Sequence, residues 1–180
     1  MSKLGDFARL DPETLARLRG TPIEAYRQLT TFPDASRLDL GSAWARLTAL
    51  MDAAHFSINP IAAGSPYPDE GTAWGAEGDS RCLTVEEVAQ AARHLSRTPF
   101  EVLKPYLRQV LEAGKGAWVD LDPDSPRYLK PLSPEEAEQV RMSDETLRSI
   151  QLVLADRYEA LVAFFDVAAK SGQCTVFWAA

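Results

Sequence analysis

The strongest constraint on the fold is a long helical pattern near the C-terminus of the chain. Apolar and small side chains recur every three or four residues from Leu147 to Ala168, a spacing typical of a helix that buries one face. The pattern predicts a helix about 40 Å long. Gly172 is a typical stop signal, and the β-forming residues 174–180 then predict a buried terminal strand. We therefore expect a central helix on which the rest of the chain packs.

The first thirty residues contain a strand pattern and two helices with local start signals. A strand is predicted around residues 4–10. Asp11 can cap a helix that has proline at its first position and ends at Gly20. A second helix is expected over residues 22–30, because a proline stands at its start and another follows its end.

The middle of the chain combines helical patterns with one long loop. Residues 37–54 have the apolar spacing of an amphipathic helix, which would place Trp44 in the core. Residues 59–80 contain three prolines and four glycines, a composition that predicts a loop. Thr84 and Glu87 have the spacing of a capping box and predict the start of the next helix.

The remaining elements are predicted between residues 99 and 143. A helix is expected over residues 99–113, with a kink or break at Pro105, which lies inside it. Residues 116–121 predict a strand, and Ser133 predicts the cap of a further helix.

Together these patterns predict an α+β fold. We expect one helix-dominated domain over residues 1–180, with about six helices and a small sheet of about three short strands. The strands nearest the two termini are expected to lie side by side, because chain ends are often close in space.

Composition and charge limit the partners of such a domain. The chain has 180 residues, of which 46% are apolar, enough to bury about two-thirds of its unfolded surface. The formal charge is -7 and is uneven, with an acidic excess in residues 61–90 and 116–145 and a basic excess in residues 91–115. Such a surface disfavours nucleic acid and favours a basic protein partner. The alternative is that the acidic residues only maintain solubility.

The sequence also predicts a cytoplasmic protein without a membrane segment. Its first fifteen residues contain no apolar stretch of signal-peptide length, and no segment approaches the roughly 20 apolar residues of a membrane span. Cys82 and Cys174 are far apart in sequence and are expected to be free thiols in a reducing compartment. A disulfide between them is the alternative in an oxidising one.

Motifs for catalysis, metals and cofactors are absent from the sequence. The two histidines, His55 and His94, form no zinc motif and are interpreted as solvated or capping residues. There is no nucleophile elbow and no phosphate-binding glycine loop. Residues 120–131 imitate the spacing of a calcium loop, but Ser125 replaces its glycine and Pro131 its final glutamate. We predict no catalytic residue, no metal and no cofactor.

The passage most typical of a binding site is residues 69–81. Its glycines allow close backbone approach, its tryptophan offers a flat apolar surface, and its carboxylates favour a cationic ligand or a basic side chain. The alternative is that the tryptophan covers the core while the glycines only turn the chain. The candidate binding residues are Asp69, Glu70, Trp74, Glu77, Asp79 and Arg81.

Three separated blocks of the sequence resemble the YfbM-like family, small bacterial proteins classed as a domain of unknown function. The blocks are RLDLGSAWARLTALM at residues 37–51, GTAWGAEGDSRCLTVEEVAQAARHL at 71–95, and ALVAFFDVAAKSGQCTVFWAA at 160–180. The resemblance extends from about Phe7 to Trp178. It implies an α+β fold and a soluble bacterial protein, and it transfers no catalytic residue.

Three functional hypotheses follow. The first is a non-enzymatic binding protein, immunity-like or antitoxin-like, that neutralises a basic toxin or effector. The second is a carboxylate-based enzyme or a small-molecule-binding protein with a pocket near residues 69–81. The third is a structural or oligomerising module that uses the apolar face of the long terminal helix.

Overall fold

The computed structural model describes residues 4–68, 80–113 and 144–179. Over these residues the predicted helix-dominated α+β class is confirmed. The strands are β1 (Gly5–Leu10), β2 (Arg37–Gly41), β3 (Ser65–Pro66), β4 (Arg81–Leu83) and β5 (Cys174–Ala179). The helices are α1 (Pro12–Arg19), α2 (Pro22–Thr30), α3 (Trp44–Ala53), α4 (Val85–Arg97), α5 (Phe100–Ala113) and α6 (Asp144–Lys170), with a 3-10 turn at Asp34–Ser36.

The strands form one antiparallel sheet in the order β2-β1-β5-β4-β3. The two terminal strands pair along their full length, from Gly5 opposite Ala179 to Leu10 opposite Cys174. The predicted proximity of the terminal strands is therefore confirmed. Every residue of β5 is buried, because β5 has neighbours on both edges and apolar side chains above and below.

The sheet has five strands rather than the predicted three or so. Residues 37–41 were expected to begin the helix that contains Trp44, but they form β2 and pair with β1. Their apolar spacing fits either structure, and the long-range pairing decides between them. Strands β3 and β4 have only two and three residues, too few to show an alternating pattern. The strand predicted at residues 116–121 lies outside the described residues.

Two apolar cores lie on opposite faces of the sheet. The larger core joins α3, α4, α5 and α6 to one face and includes Phe7, Leu161 and Phe177. The smaller core joins α1 and α2 to the other face and includes Leu18 and Trp178. Side chains that alternate along β1 and β5 point to the two cores in turn, so these strands are shared by both.

Most predicted helix ends are confirmed. The Asp11 carboxylate accepts an N–H of the first turn of α1 at 2.8 Å. Thr84 and Glu87 form the reciprocal capping box. The Thr84 N–H donates to Glu87 Oε2 at 2.8 Å, and the Glu87 N–H donates to Thr84 Oγ1 at 3.3 Å. Gly172 follows α6 with a φ of +61°, a left-handed conformation that glycine adopts readily. Local sequence was sufficient for these ends because every contact lies within a few residues of the helix end.

Pro105 does not break α5, which continues from Phe100 to Ala113. A proline inside a helix removes one backbone hydrogen bond and crowds the preceding turn. The buried side chains of Leu103 and Leu107 pack into the larger core and offset that loss. The helix predicted from Ser133 lies outside the described residues.

Candidate functional site

The structure describes one of the six predicted binding residues. Arg81 is half-buried on β4, and its Nη1 donates a hydrogen bond to the Gly64 carbonyl at 3.3 Å. It thus ties β4 to the turn that precedes β3. The other five, Asp69, Glu70, Trp74, Glu77 and Asp79, lie outside the described residues, as do the carboxylates of the enzyme hypothesis.

The two residues next to this segment, Tyr67 before Pro68 and Ser80 after residue 79, are hydrogen-bonded to each other. The Tyr67 N–H donates to the Ser80 carbonyl at 3.0 Å, and the Ser80 hydroxyl donates to the Tyr67 carbonyl at 2.6 Å. Both residues are fully buried. They continue the pairing of β3 with β4 at the edge of the sheet. The described residues on either side of residues 69–79 therefore meet at one well-packed point. We name this point the Tyr67–Ser80 clasp.

The side chain of Tyr67 connects the clasp to helix α1. Its hydroxyl donates to the Leu15 carbonyl at 3.2 Å, and the Arg19 guanidinium lies 5.5 Å from the centre of its ring. A buried tyrosine requires a partner for its hydroxyl, and an arginine over an aromatic ring is favourable. These contacts attach the clasp to the smaller core.

Cys82 lies close to the same contacts. Its Sγ accepts a hydrogen bond from Arg19 Nη2 at 3.4 Å and is 3.3 Å from the Ser65 hydroxyl. Cys174 belongs to the same core, on the neighbouring strand, and both cysteines are buried free thiols. Burial, and next the neighbouring Cys82, raise the pKa of the Cys174 thiol. A thiol with a raised pKa is a weak nucleophile at neutral pH, so Cys174 suits packing better than catalysis.

A serine–histidine pair, formed by Ser57 after α3 and His94 on α4, was missed in the sequence. The Ser57 hydroxyl is 3.0 Å from His94 Nδ1, and the His94 ring stacks on Phe56 with ring centres 4.3 Å apart. A cavity of about 360 Å³ adjoins the pair and is also lined by Arg93 and Arg97. The distance suits proton transfer from a hydroxyl to an imidazole. Among the described residues, no carboxylate bonds the other ring nitrogen to complete a triad.

The surroundings of the two histidines differ. His55 is exposed just after α3, with a φ of +56°, and its N–H donates to the Asp52 carbonyl, so it is solvated, one of the two predicted roles, while Ala54 is the C-cap of the helix. His94 is half-buried, and its contact with Phe56 joins residues 38 positions apart, which no local pattern reveals. Within the described ranges, no three His, Cys, Asp or Glu side chains converge as metal ligands. None of the described helices combines the length and apolar character needed to cross a bilayer.

Comparison with known proteins places the N-terminal part of the chain in a family. A family model described as "Domain of unknown function (DUF1877)" matches residues 1–112. The chain belongs to the DUF1877 family. No curated protein and no solved structure matches it.

The DUF1877 match ends at residue 112, whereas the resemblance found in the sequence was expected to reach Trp178. The matched region contains β1 to β4 and almost all of α1 to α5, including the clasp. It lacks α6 and β5, yet β5 separates β1 from β4 in the sheet. The matched region therefore needs the C-terminal residues to complete its sheet and larger core.

Proposed function

We propose that this protein is a non-enzymatic binding protein that recognises a basic protein through residues 69–79. The observation that carries the proposal is the Tyr67–Ser80 clasp, which holds together the described residues on either side of this segment at the edge of the sheet. Connections held by a rigid scaffold are frequent locations of binding residues. The clasp supplies that scaffold, because its two residues are fully buried and the Tyr67 hydroxyl is bonded to α1.

The composition of the segment matches a cationic partner. Its eleven residues include four carboxylates and neither lysine nor arginine. An acidic surface attracts a basic partner over several ångströms and accelerates encounter, particularly at low salt. Trp74 would supply the apolar anchor, since tryptophan is among the residues that contribute most to protein interfaces.

The partner class that we propose is a basic toxin or effector enzyme. This would make the chain an immunity-like or antitoxin-like protein, acting in the cytoplasm of a bacterium as a YfbM-like member of its family. Support comes from the three resembling sequence blocks and from Cys82 and Cys174, whose free thiols suit a reducing compartment.

The test is affinity capture by the purified full chain of basic proteins encoded by neighbouring genes, followed by calorimetric titration of each captured partner. We expect a dissociation constant below about 1 µM that weakens as salt rises, because exposed charges are screened. Trp74→Ala should cost about 2 kcal/mol of binding free energy, or roughly thirtyfold in affinity.

Matched variants on other surfaces serve as controls. Ile23→Ala removes an exposed apolar side chain of α2, which is 88% exposed, and should leave affinity unchanged. Neutralising Glu77 and Asp79 together should weaken binding more than neutralising two exposed acids of α6, Asp156 and Glu159. Capture of no basic protein at micromolar concentration, or equal affinity for all these variants, contradicts the proposal.

The two other sequence hypotheses remain predictions. The carboxylate-based enzyme or small-molecule site would depend on the same segment, so the variants of residues 69–79 also bear on it. Self-association is favoured by Leu152 and Val153, which are 70% and 58% exposed on α6. The mass of the free chain in solution, measured by light scattering alongside the titrations, distinguishes self-association from binding of a different protein.

A further inference from the structure

A cavity of about 370 Å³ lies where the turn from β2 into α3 faces the N-terminal half of α6. Leu40, Ile150 and Leu154 form an apolar part of its lining, and Leu40 and Leu154 are fully buried. Its volume is within the range of small-molecule sites, which are mostly apolar with a few polar groups at fixed positions. We name it the α3–α6 cavity.

The polar lining of the α3–α6 cavity is cationic. Arg46 comes from α3 and Arg157 from α6, and both line the cavity together with Ser42 and Ser149. None of the described lining residues is acidic. Two arginines from separate helices therefore line one cavity of a protein whose formal charge is -7. An anion would meet attraction here although the protein as a whole repels it.

The two arginines differ in how they are held. Arg157 Nη1 donates to the Asp39 carbonyl at 3.1 Å, which fixes the guanidinium and leaves its other N–H groups for a ligand. Arg46 is exposed and makes no hydrogen bond or ion pair with any residue in the described ranges. The guanidinium fork suits two oxygens of a carboxylate or phosphate. One arginine is thus preorganised, and the other is available to close on a ligand.

The backbone at the cavity carries partial positive charge, as the arginines carry full positive charge. Helix α3 begins there, and its cap residue Ala43 offers no side-chain acceptor to the first turn. The start of a helix carries a partial positive charge from N–H groups without helical partners. Gly41, with a φ of +55°, turns the chain from β2 so that this helix start faces the cavity. The Gly41 N–H is already taken by the Asp39 carboxylate at 2.6 Å, so the attraction for an anion comes from the two arginines and the first turn of α3.

We propose that the α3–α6 cavity binds a small molecule with an oxyanion, a carboxylate or phosphate, on a short apolar group. The oxyanion lies between Arg46 and Arg157, and the apolar group lies against Ile150, Val153 and Leu154. This site is separate from residues 69–79 and does not depend on the protein partner proposed above.

The test uses the full chain, labelled with ¹⁵N and titrated with four six-carbon probes and with inorganic phosphate. Hexanoate and hexyl phosphate carry the proposed chemistry, whereas hexanol lacks the charge and hexylammonium reverses it. We expect saturable amide shifts, centred on residues 41–46 and 149–157, with the two anionic probes. Binding of inorganic phosphate as tight as that of hexyl phosphate would show that the apolar group contributes nothing. Equal responses to hexanol and hexanoate would overturn the oxyanion site.

Variants identify the groups responsible. Arg46→Gln should weaken hexanoate about tenfold, because a hydrogen bond to a charged group is lost, and Arg46→Lys should restore part of the affinity. Val153→Ser should weaken hexanoate and leave inorganic phosphate unchanged. Arg108→Gln, which removes an exposed arginine of α5 that does not line the cavity, is the matched control. Arg46 is exposed, so Arg46→Gln should fold, and unchanged hexanoate affinity in that variant overturns the proposal.

Discussion

At the residue scale, Asp6 on β1 stands out among the described carboxylates because its pKa is raised. Its side chain is 19% exposed and lies directly across the strand pair from Asp39. Burial first, and then the negative charge of Asp39, raise the pKa of Asp6, and Arg37 opposes them with an ion pair at 3.3 Å. Because the pKa is raised in the folded state, neutral Asp6 favours folding at pH values below its unfolded pKa. That contribution disappears as pH rises through the folded pKa.

We therefore predict that Asp6→Asn raises the free energy of unfolding relative to the parent chain as pH increases. The gain in the free energy of unfolding should be smallest at about pH 3 and largest at about pH 7, where the Asp6 carboxylate of the parent chain is ionised. Urea unfolding at a series of pH values measures the difference. Asp39→Asn serves as a control, because it removes the like charge near Asp6 but leaves Asp6 buried. Its pH profile of stability should therefore lie between those of the parent chain and Asp6→Asn. Parallel pH profiles for parent and Asp6→Asn would contradict the assigned cause.

At the element scale, the sheet edge that carries the clasp depends on a glycine. Gly64 precedes β3 with a φ of +93°, and a Cβ atom there would lie 2.2 Å from the Cys82 carbonyl oxygen. That oxygen belongs to the backbone of β4 and has little room to move. Gly20, at the end of α1, has an ordinary helical φ of -77°, and a Cβ atom there would have no neighbouring atom within 4 Å.

We predict opposite outcomes for alanine at these two glycines. Gly64→Ala should destabilise the chain by more than about 1 kcal/mol, because both the left-handed backbone and the contact with β4 oppose it. Gly20→Ala should be neutral or stabilise slightly, since it only restricts the unfolded chain. Urea unfolding gives both values, and amide shifts of Tyr67 and Ser80 report whether the clasp moves. Similar stability of the two variants would show that β3 and β4 are less tightly packed than the structure indicates.

At the scale of the whole molecule, one sheet serves both cores. Strand β5 presents Phe177 to the larger core and Trp178 to the smaller one. It also lies between β1 and β4, so among the described strands it joins the two halves of the sheet. A disturbance of either core should therefore reach the other through the shared strands. The single domain over residues 1–180 remains a prediction.

We predict one cooperative unfolding transition for the chain. Leu18→Ala in the smaller core and Leu161→Ala in the larger one should each lower the midpoint temperature of that transition. Both side chains are fully buried, and each truncation should cost about 2–5 kcal/mol. Thermal unfolding, combined with amide hydrogen exchange in α1 and α6, measures the coupling. Ile23→Ala and Leu152→Ala, exposed on α2 and α6, are the matched controls. If Leu18→Ala leaves exchange in α6 unchanged, the two faces unfold independently and the single-domain prediction is wrong.

Sequence by itself determined most of the described helix ends and the terminal strands, but not the start of α3. Asp11, the Thr84–Glu87 capping box and Gly172 act within one turn of a helix, and the alternation of β1 and the β-forming residues of β5 are equally local. For the predicted site, only the composition of residues 69–79 was available from the sequence.

Tertiary structure alone decided what depends on residues distant in the chain. Strand β2 exists because β1 pairs with it, although its apolar spacing also suits a helix. The clasp and the Ser57–His94 pair join residues 13 and 37 positions apart, and the cavity brings Arg46 and Arg157, 111 positions apart, to one place. Such contacts form only when the chain closes long loops around a common core, and periodicity within a short window contains no information about which ends will meet.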